Sequence, residues 1–313
     1  MNPFVVGAYV SRDYFCGRSE EAKELEKSIR EGRNVVLCSE RELGKTHLIN
    51  HLFCKASFKE EFECLCVDAA VCGSLKEFAF ILVNGIFRSL RNDHGSFEKL
   101  ASFRDADGAR ALGNIIESNS SVRMIFSVCE TQGCFEQFLE KHGVVCRSTK
   151  LIHLGPIELS EYLSFARKKF QEAGKRISAE IFESVYSKFS GCTGPIQLVL
   201  NRLFSETPKN ASVTNEILDT VIKAIADEYA VFYKEALSRL SFNQKCLVFA
   251  VAKDGAVENP SSSEFVNRHS LASVSSVQSS ARALLEQGVL HKDDSGLSIS
   301  DYFFFEWLKK EYF

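Results

Sequence analysis

The chain has 313 residues, 45% of them hydrophobic, which is enough to bury sizeable cores and to divide into two or three domains. Its 38 Lys and Arg against 41 Asp and Glu leave a formal net charge of −3, which excludes a global positive field able to gather nucleic acid or an anionic membrane. Any such binding needs a local patch.

The N-terminus, MNPFVVGAYVSRDYF, lacks the basic start, long apolar stretch and small-residue cleavage site of a leader, and no apolar run approaches the ~20 residues that cross a bilayer. The expectation is a cytoplasmic protein without membrane contact. The 11 cysteines are odd in number, scattered and set in apolar runs such as FECLCVDAAVC, so most are expected as reduced core residues. No C-x-x-C occurs and no zinc-finger spacing is present, which argues against a structural zinc.

In chain order, SEEAKELEKSIRE (19–31) reads as a surface helix with Ser19 as N-cap and Ala22, Leu25 and Ile29 on one face. Gly32 and Asn34 break it. Val35, Val36, Leu37 and Cys38 then form the continuous apolar run of a parallel strand buried on both faces. THLINHLFCKA places Leu48, Ile49, Leu52 and Phe53 on a helical stripe. A second strand is expected at 65–70, followed by an apolar helix in SLKEFAFILVNGIFRSL. A polar segment (91–108), a helix from about residue 109 to 117, a strand in VRMIFSV, a helical turn at 134–142 and a strand in TKLIHLGPI complete the pattern. This alternation predicts an α/β three-layer sandwich around a parallel sheet over residues 1–157.

Strands stop there. ELSEYLSFARKKFQEAG, SAEIFESVYSKFSG, GPIQLVLNRLFSE and TNEILDTVIKAIADEYAVFYKEAL are amphipathic, giving a helical subdomain over 158–236. Residues 237–313 read as three helices, a hairpin turning on Asp-Ser-Gly and an aromatic-rich end, which is the make-up of a winged helix.

The chemistry is concentrated between strand and helix, at Ser39-Glu40-Arg41-Glu42-Leu43-Gly44-Lys45-Thr46-His47. A P-loop, G-x-x-x-x-G-K-[ST], cradles phosphates with backbone amides, reaches the β and γ phosphates with Lys, and binds Mg²⁺ through the hydroxyl. Serine stands here for the first glycine. Lys45 is the expected phosphate ligand and Thr46 the Mg²⁺ ligand, for ATP or ADP. Glu40 and Glu42 repel a triphosphate unless they face solvent or pair with Arg41.

Several stretches together resemble the ATPases of the archaeal and bacterial STAND/AAA-like group that end in a winged helix. They are NPFVVGAYVSRDYFCGRSEEAKEL, GRNVVLCSERELGKT (where that group often has S-P-R-R-x-G-K-T), LIHLGPIELSEYLSFARKKFQEAGK, FSGCTGPIQLVLNRLF and SFNQKCLVFAVAKDG with SSVQSSARALLEQGVL. The resemblance covers almost the whole chain and implies a nucleotide-binding domain (1–157), a helical lid (158–236) and a winged-helix domain (237–313). It implies that Pro195, in GCTGPIQ, packs on adenine, although Pro at the first helical position also explains that residue. It implies a phosphate contact for Arg147, which is equally readable as a solvated side chain. Phe15 and Arg18 are candidates for the base end of the pocket, Phe15 being equally readable as core.

Hydrolysis in this group needs an apolar strand ending in Asp-Glu, the Asp ordering Mg²⁺ and the Glu a water. No such strand is found. Asp68 is followed by Ala69, Glu130 lacks an Asp, Asp105 and Asp107 sit in a polar turn, and the chain looks shortened between FEKLASF and RDADGARALGNII. The expectation is nucleotide binding that gates the winged helix, with hydrolysis in question. The alternative is a non-catalytic degenerate P-loop scaffold or a DNA-binding regulator. Against DNA, residues 241–313 hold seven Lys and Arg and nine acids, Asp293 and Asp294 sit at the hairpin tip, and Arg282 is the one cation in SVSSVQSSARALLEQG. A protein-contact or autoinhibitory role fits that surface better.

Overall fold

The computed structural model describes residues 2–7, 11–66, 77, 80, 81, 123–129, 149–293 and 295–313. The chain forms two compact units, one of Gly7–Gly155 and one of Met1–Val6 with Pro156–Phe313. The expected strand at 65–70 lies outside the described residues from 67 onward, and the helices expected at 109–117 and 134–142 lie outside them altogether. So do Asp68, Asp105, Asp107, Glu130 and Arg147.

In the Gly7–Gly155 unit, helix α1 (Ser19–Arg30) leads to strand β1 (Asn34–Ser39), helix α2 (Lys45–Phe53) and the short α3 (Ala56–Lys59). Strands β2 (Ile125–Cys129) and β3 (Thr149–His153) flank β1, both parallel to it, in the order β2-β1-β3. Val36 pairs with Phe126 on one side and Leu151 on the other. All six residues of β1 are buried, which is why its apolar run is continuous rather than alternating. Val35 and Leu37 share one face of the strand and pack with Ala22, Leu25 and Ile29 of α1 and Leu48 and Leu52 of α2. Burial of this stripe holds α1 and α2 on the sheet.

Two details of α1 depart from the sequence reading or extend it. Its N-cap is Arg18, with φ 63° and no side-chain cap, so Ser19 is the first helical residue and not the cap. The reason lies in Gly17 and Arg18, which both take positive φ and turn the chain one residue earlier. At the other end Gly32 has φ 84°, its N–H donates to Ile29 and that of Arg33 to Ser28, the paired bonds of a left-handed helix stop.

The second unit contains α4 (Leu159–Glu172), α5 (Ala179–Lys188), α6 (Thr193–Glu206), α7 (Asn215–Glu228) and α8 (Ala230–Arg239). The single segment read from 214 onward is divided at Tyr229, which caps α7 and starts α8. After these come α9 (Phe242–Asp254), α10 (Ser263–Arg268), α11 (Val274–Glu286), the antiparallel hairpin β4 (Leu290–Asp293) and β5 (Gly296–Ile299), and α12 (Tyr302–Tyr312). That is the expected winged helix, with its aromatic end folded as a helix. Starts are set by side chains: Ser178, Thr214, Ser262 and Ser273 each accept a first-turn N–H, and Ser241 with Gln244 forms a reciprocal capping box. Gly296 has φ 120°, and a Cβ there would stand 2.5 Å from the Val257 carbonyl, so the turn admits no side chain.

The winged helix is joined to the preceding helices by an aromatic seam on α12. Phe303 lies 4.8 Å from Phe189, Phe304 and Trp307 lie 5.0 and 5.7 Å from Tyr233, and Asp301 both caps α12 and accepts from the Tyr233 hydroxyl at 3.1 Å. Lys310 adds a pair with Asp227 at 2.7 Å.

The start of the chain is tied into this unit as well. Phe4 is fully buried, with ring centroids 5.4 Å from Phe170, 5.9 Å from Phe204 and 6.2 Å from Phe165. Asn201 on α6 holds the backbone, its side chain donating to the Phe4 carbonyl at 2.6 Å while Asn2 donates to the Asn201 carbonyl at 2.7 Å.

Of the cysteines among the described residues, Cys16 and Cys38 are buried, while Cys54, Cys66 and Cys129 are exposed; all are free thiols. The core therefore takes fewer of them than the apolar runs suggested: Cys54 caps the C-terminus of α2, Cys129 is the last residue of β2, and Cys66 lies in irregular chain after α3.

Candidate phosphate-binding site

The loop from Ser39 to Gly44 joins the buried end of β1 to the start of α2. Glu42 has φ 61° and Gly44, the N-cap of α2, has φ 89°. Gly44 takes that conformation without cost, whereas Glu42 takes it with backbone strain. No side chain caps α2, so the amides of its first turn open outward at the positive end of the helix. The nine-residue helix thus starts, uncapped, just behind a strand end, the kind of terminus to which anions bind.

Lys45 is only 7% exposed, and its ammonium donates to the Ser39 carbonyl at 3.1 Å, the Ser39 hydroxyl at 2.7 Å and the Glu40 carbonyl at 2.7 Å. All three ammonium hydrogens therefore have acceptors, each from the loop itself. The Ser39 hydroxyl in turn donates to the Glu40 carbonyl at 2.7 Å, so the serine that replaces the first glycine is part of the lysine's seat.

The remaining positions divide by exposure. Leu43 is buried beneath the loop, while Glu40, Arg41, Glu42 and Thr46 are exposed. The two carboxylates therefore do not fill the loop's interior. His47, half-buried in the first turn of α2, has its pKa pushed below the ordinary 6.5 by loss of hydration, so near neutral pH it brings no positive charge to the loop. Phe15 stacks on His51 at 3.9 Å and packs against the core cluster, as the core reading of that residue requires. Arg18 is buried in the unit's interior, where its guanidinium meets main-chain carbonyls.

Ser39 through His47 are thus brought together by one turn. Pro195 belongs to the other unit, where it is the third residue of α6 rather than the first, still within the turn where a missing N–H breaks no helical bond. Both hydrogen-bonding edges of β1 are occupied, by β2 and β3, and neither ends in Asp-Glu. The seat of Lys45 in Ser39 was not foreseen. The signal was a hydroxyl at a position where the pattern has glycine.

On the winged helix, the described cations of the face offered by α11 are few: Arg282 is exposed and lies 3.9 Å from Glu286. Beside it the start of α9 and α11 enclose a depression of about 250 Å³ lined by Ser241, Asn243, Gln244, Ser276 and Ser279, polar but uncharged.

These features define a class by fold: an α/β P-loop fold, with a parallel sheet and helical regions, carrying a C-terminal winged helix. Residues 231–310 match a family model described as a probable winged helix domain. Among solved structures the chain is similar to the Walker-type ATPase PABY2304 of Pyrococcus abyssi, with a TM-score of 0.66 and 13% identity over 98% of this chain and 99% of that one. It is similar to the Aeropyrum pernix ORC2 protein, described as ADPNP-ADP complexes, with a TM-score of 0.58 and 11% identity over 99% and 96% of the two chains. The Aeropyrum pernix ORC1 protein in complex with DNA gives a TM-score of 0.52 and 14% identity over 96% and 94%. At these identities the likeness is one of fold. A search of curated proteins gives no match. No helix among the described residues is long and apolar enough to cross a membrane.

Proposed function

We propose that the chain binds ATP or ADP with Mg²⁺ through the loop Ser39–His47, and that the bound nucleotide controls the use of the winged helix by a protein partner. The observation that carries this reading is the buried ammonium of Lys45 at the foot of an uncapped helix start. Lys45 is assigned to the β and γ phosphates and the amides from Gly44 onward to phosphate oxygens; Pro195 is assigned to the base only as the family resemblance implies. Arg147 is assigned to a phosphate on the strength of the family resemblance alone.

For the metal, the described residues contain no group of three or more His, Cys, Asp or Glu, so no cage is found among them. The exposed Thr46 hydroxyl fits an ion that keeps most of its water and takes its other ligands from phosphate. Bound there, Mg²⁺ would neutralise phosphate charge. Residues 158–236 are assigned as the lid and residues 237–313 as the winged-helix output domain. Whether the nucleotide is broken rests on an acid that neither neighbour of β1 supplies.

Calorimetric titration with ADP and with ATP-Mg²⁺, followed by a phosphate-release assay, tests the reading. Heats that fit one site support it; absence of heat for both nucleotides ends it. A second expectation concerns Ser39. Its hydroxyl holds Lys45 within the loop, and a contact given up when the ammonium turns to phosphate weakens binding. Ser39→Ala is therefore expected to bind ADP about 3–10-fold more tightly, the worth of one hydrogen bond of roughly 1 kcal/mol. Unchanged or weaker binding in the same titration would show that the hydroxyl does not compete with the ligand.

A DNA-binding reading has one point in its favour, the fold shared with an ORC1 protein seen with DNA. The charge on 241–313 argues against it. Duplex binding with a steep salt dependence, measured by fluorescence anisotropy, would reverse that order.

A further inference from the structure

Arg18 is a buried cation that phosphate binding, as assigned above, does not use. It is 6% exposed, one of its terminal nitrogens pairs with Glu21 at 3.1 Å, and the other donates to two main-chain carbonyls, Leu43 at 3.0 Å and Gly155. Its Nε is buried with no hydrogen-bond partner. A guanidinium is always charged, so burying it with a donor left over is unfavourable unless the remaining contacts are worth keeping. Its backbone is also held at φ 63°, a region a residue with a side chain seldom enters. Strain and an unpaired donor at one residue imply that its place is set by the two carbonyls.

The two carbonyls differ in what they control. Leu43 precedes Gly44, the N-cap of α2. A trans peptide is planar, with its C=O and N–H pointing in opposite directions. Fixing the Leu43 carbonyl on Arg18 therefore fixes the Gly44 N–H on the opposite side, among the amides of the loop. Gly155 is the last residue of the Gly7–Gly155 unit, directly before Pro156 begins the other. Because one nitrogen serves both carbonyls, a change in the Leu43 peptide alters the bond to Gly155. An anion on the Gly44 N–H polarises that peptide and strengthens its carbonyl as an acceptor.

We propose that Arg18 is a positioning residue that aims the Gly44 amide and passes nucleotide occupancy of the loop to the Gly155–Pro156 junction. The proposal rests on the nucleotide reading above and names a regulation of that same site.

Hydrogen exchange with and without ADP, alongside calorimetry, tests it on the full chain. In the wild type, ADP is expected to slow exchange in peptides covering 40–46 and in those covering 152–158. Arg18→Lys keeps the charge but not the planar fork, so it cannot hold both carbonyls in one geometry. Checked for native circular dichroism, it is expected to bind ADP roughly tenfold more weakly, within the usual range of coupling between sites. It is expected to keep protection at 40–46 under saturating ADP and to lose it at 152–158. Glu21→Gln, which leaves both carbonyl bonds in place, is expected to retain both effects.

A variant that merely melts earlier, with unchanged Kd and unchanged protection at 152–158, overturns the proposal. If Arg18→Lys does not fold, the wild type decides: protection at 40–46 with none at 152–158 also overturns it. Absence of calorimetric binding and of any protection in the wild type removes the nucleotide reading itself, and this inference with it.

Discussion

Lys45→Ala is expected to abolish most of the stabilisation that ADP or ATP-Mg²⁺ gives the wild type. The ammonium is buried, and its acceptors are a hydroxyl and two carbonyls of the loop. In the proposed bound state its donors would serve phosphate oxygens, and charge-assisted bonds of that kind are worth about 1.5–3 kcal/mol each. Losing even two of them weakens binding by at least about 100-fold. At a ligand concentration 100 times the wild-type Kd, linkage stabilises the wild type by about 2.7 kcal/mol and a 100-fold weaker variant by about 0.4 kcal/mol. For a domain of 150–250 residues, at roughly 2–4 °C per kcal/mol, a rise in Tm of about 5–10 °C shrinks to about 1 °C. Thermal denaturation with a titration of ADP measures this directly. A variant whose Tm climbs as far as the wild type's would remove Lys45 from the site. Phosphate release, if the wild type shows any, is expected to fall to the buffer rate.

The largest expected loss of stability is at Phe4→Ala. Phe4 has no exposed surface and three aromatic neighbours within 6.2 Å, and its carbonyl is held by Asn201. Truncating a phenylalanine in such a site removes its transfer free energy and leaves a cavity, at a cost of about 3–5 kcal/mol. The unit containing 156–313 is expected to melt about 6–20 °C lower. Val6, 52% exposed, supplies the control: Val6→Ala is expected within about 0.5 kcal/mol of the wild type. Calorimetric unfolding of the two variants side by side decides. Equal transitions in both would mean that the first residues contribute nothing to that core.

Much of the architecture could be read from local pattern. Val35 to Cys38 announced a strand covered on both faces, and Leu48 and Leu52 the helix behind the loop, because continuous apolar runs and 3.6-residue stripes are direct consequences of burial. The hairpin and the three helices before it in the C-terminal domain were legible for the same reason, as each rests on residues a few positions apart.

What escaped the sequence depends on partners far along the chain. Ser19 has the side chain of a cap, but Arg18 is drawn into a left-handed turn by carbonyls 25 and 137 residues away. Phe4 looked like one more apolar residue near the start, and nothing near it points to Asn201 or Phe204. The Lys45 seat involves residues five and six positions back, close in sequence, yet it depends on the loop folding over itself.

The early clasp between Phe4 and Asn201 has a consequence for how the polypeptide is made. Residues 7–155 are inserted between two parts of the other unit, so that unit lacks most of its mass while they emerge from the ribosome. At about 5–20 residues per second, synthesis from Phe4 to Phe204 takes roughly 10–40 s. Throughout that interval an apolar N-terminal hook has no binding pocket to enter. The inserted unit has time to acquire its own fold first, and Phe4 is captured only by helices translated long after it.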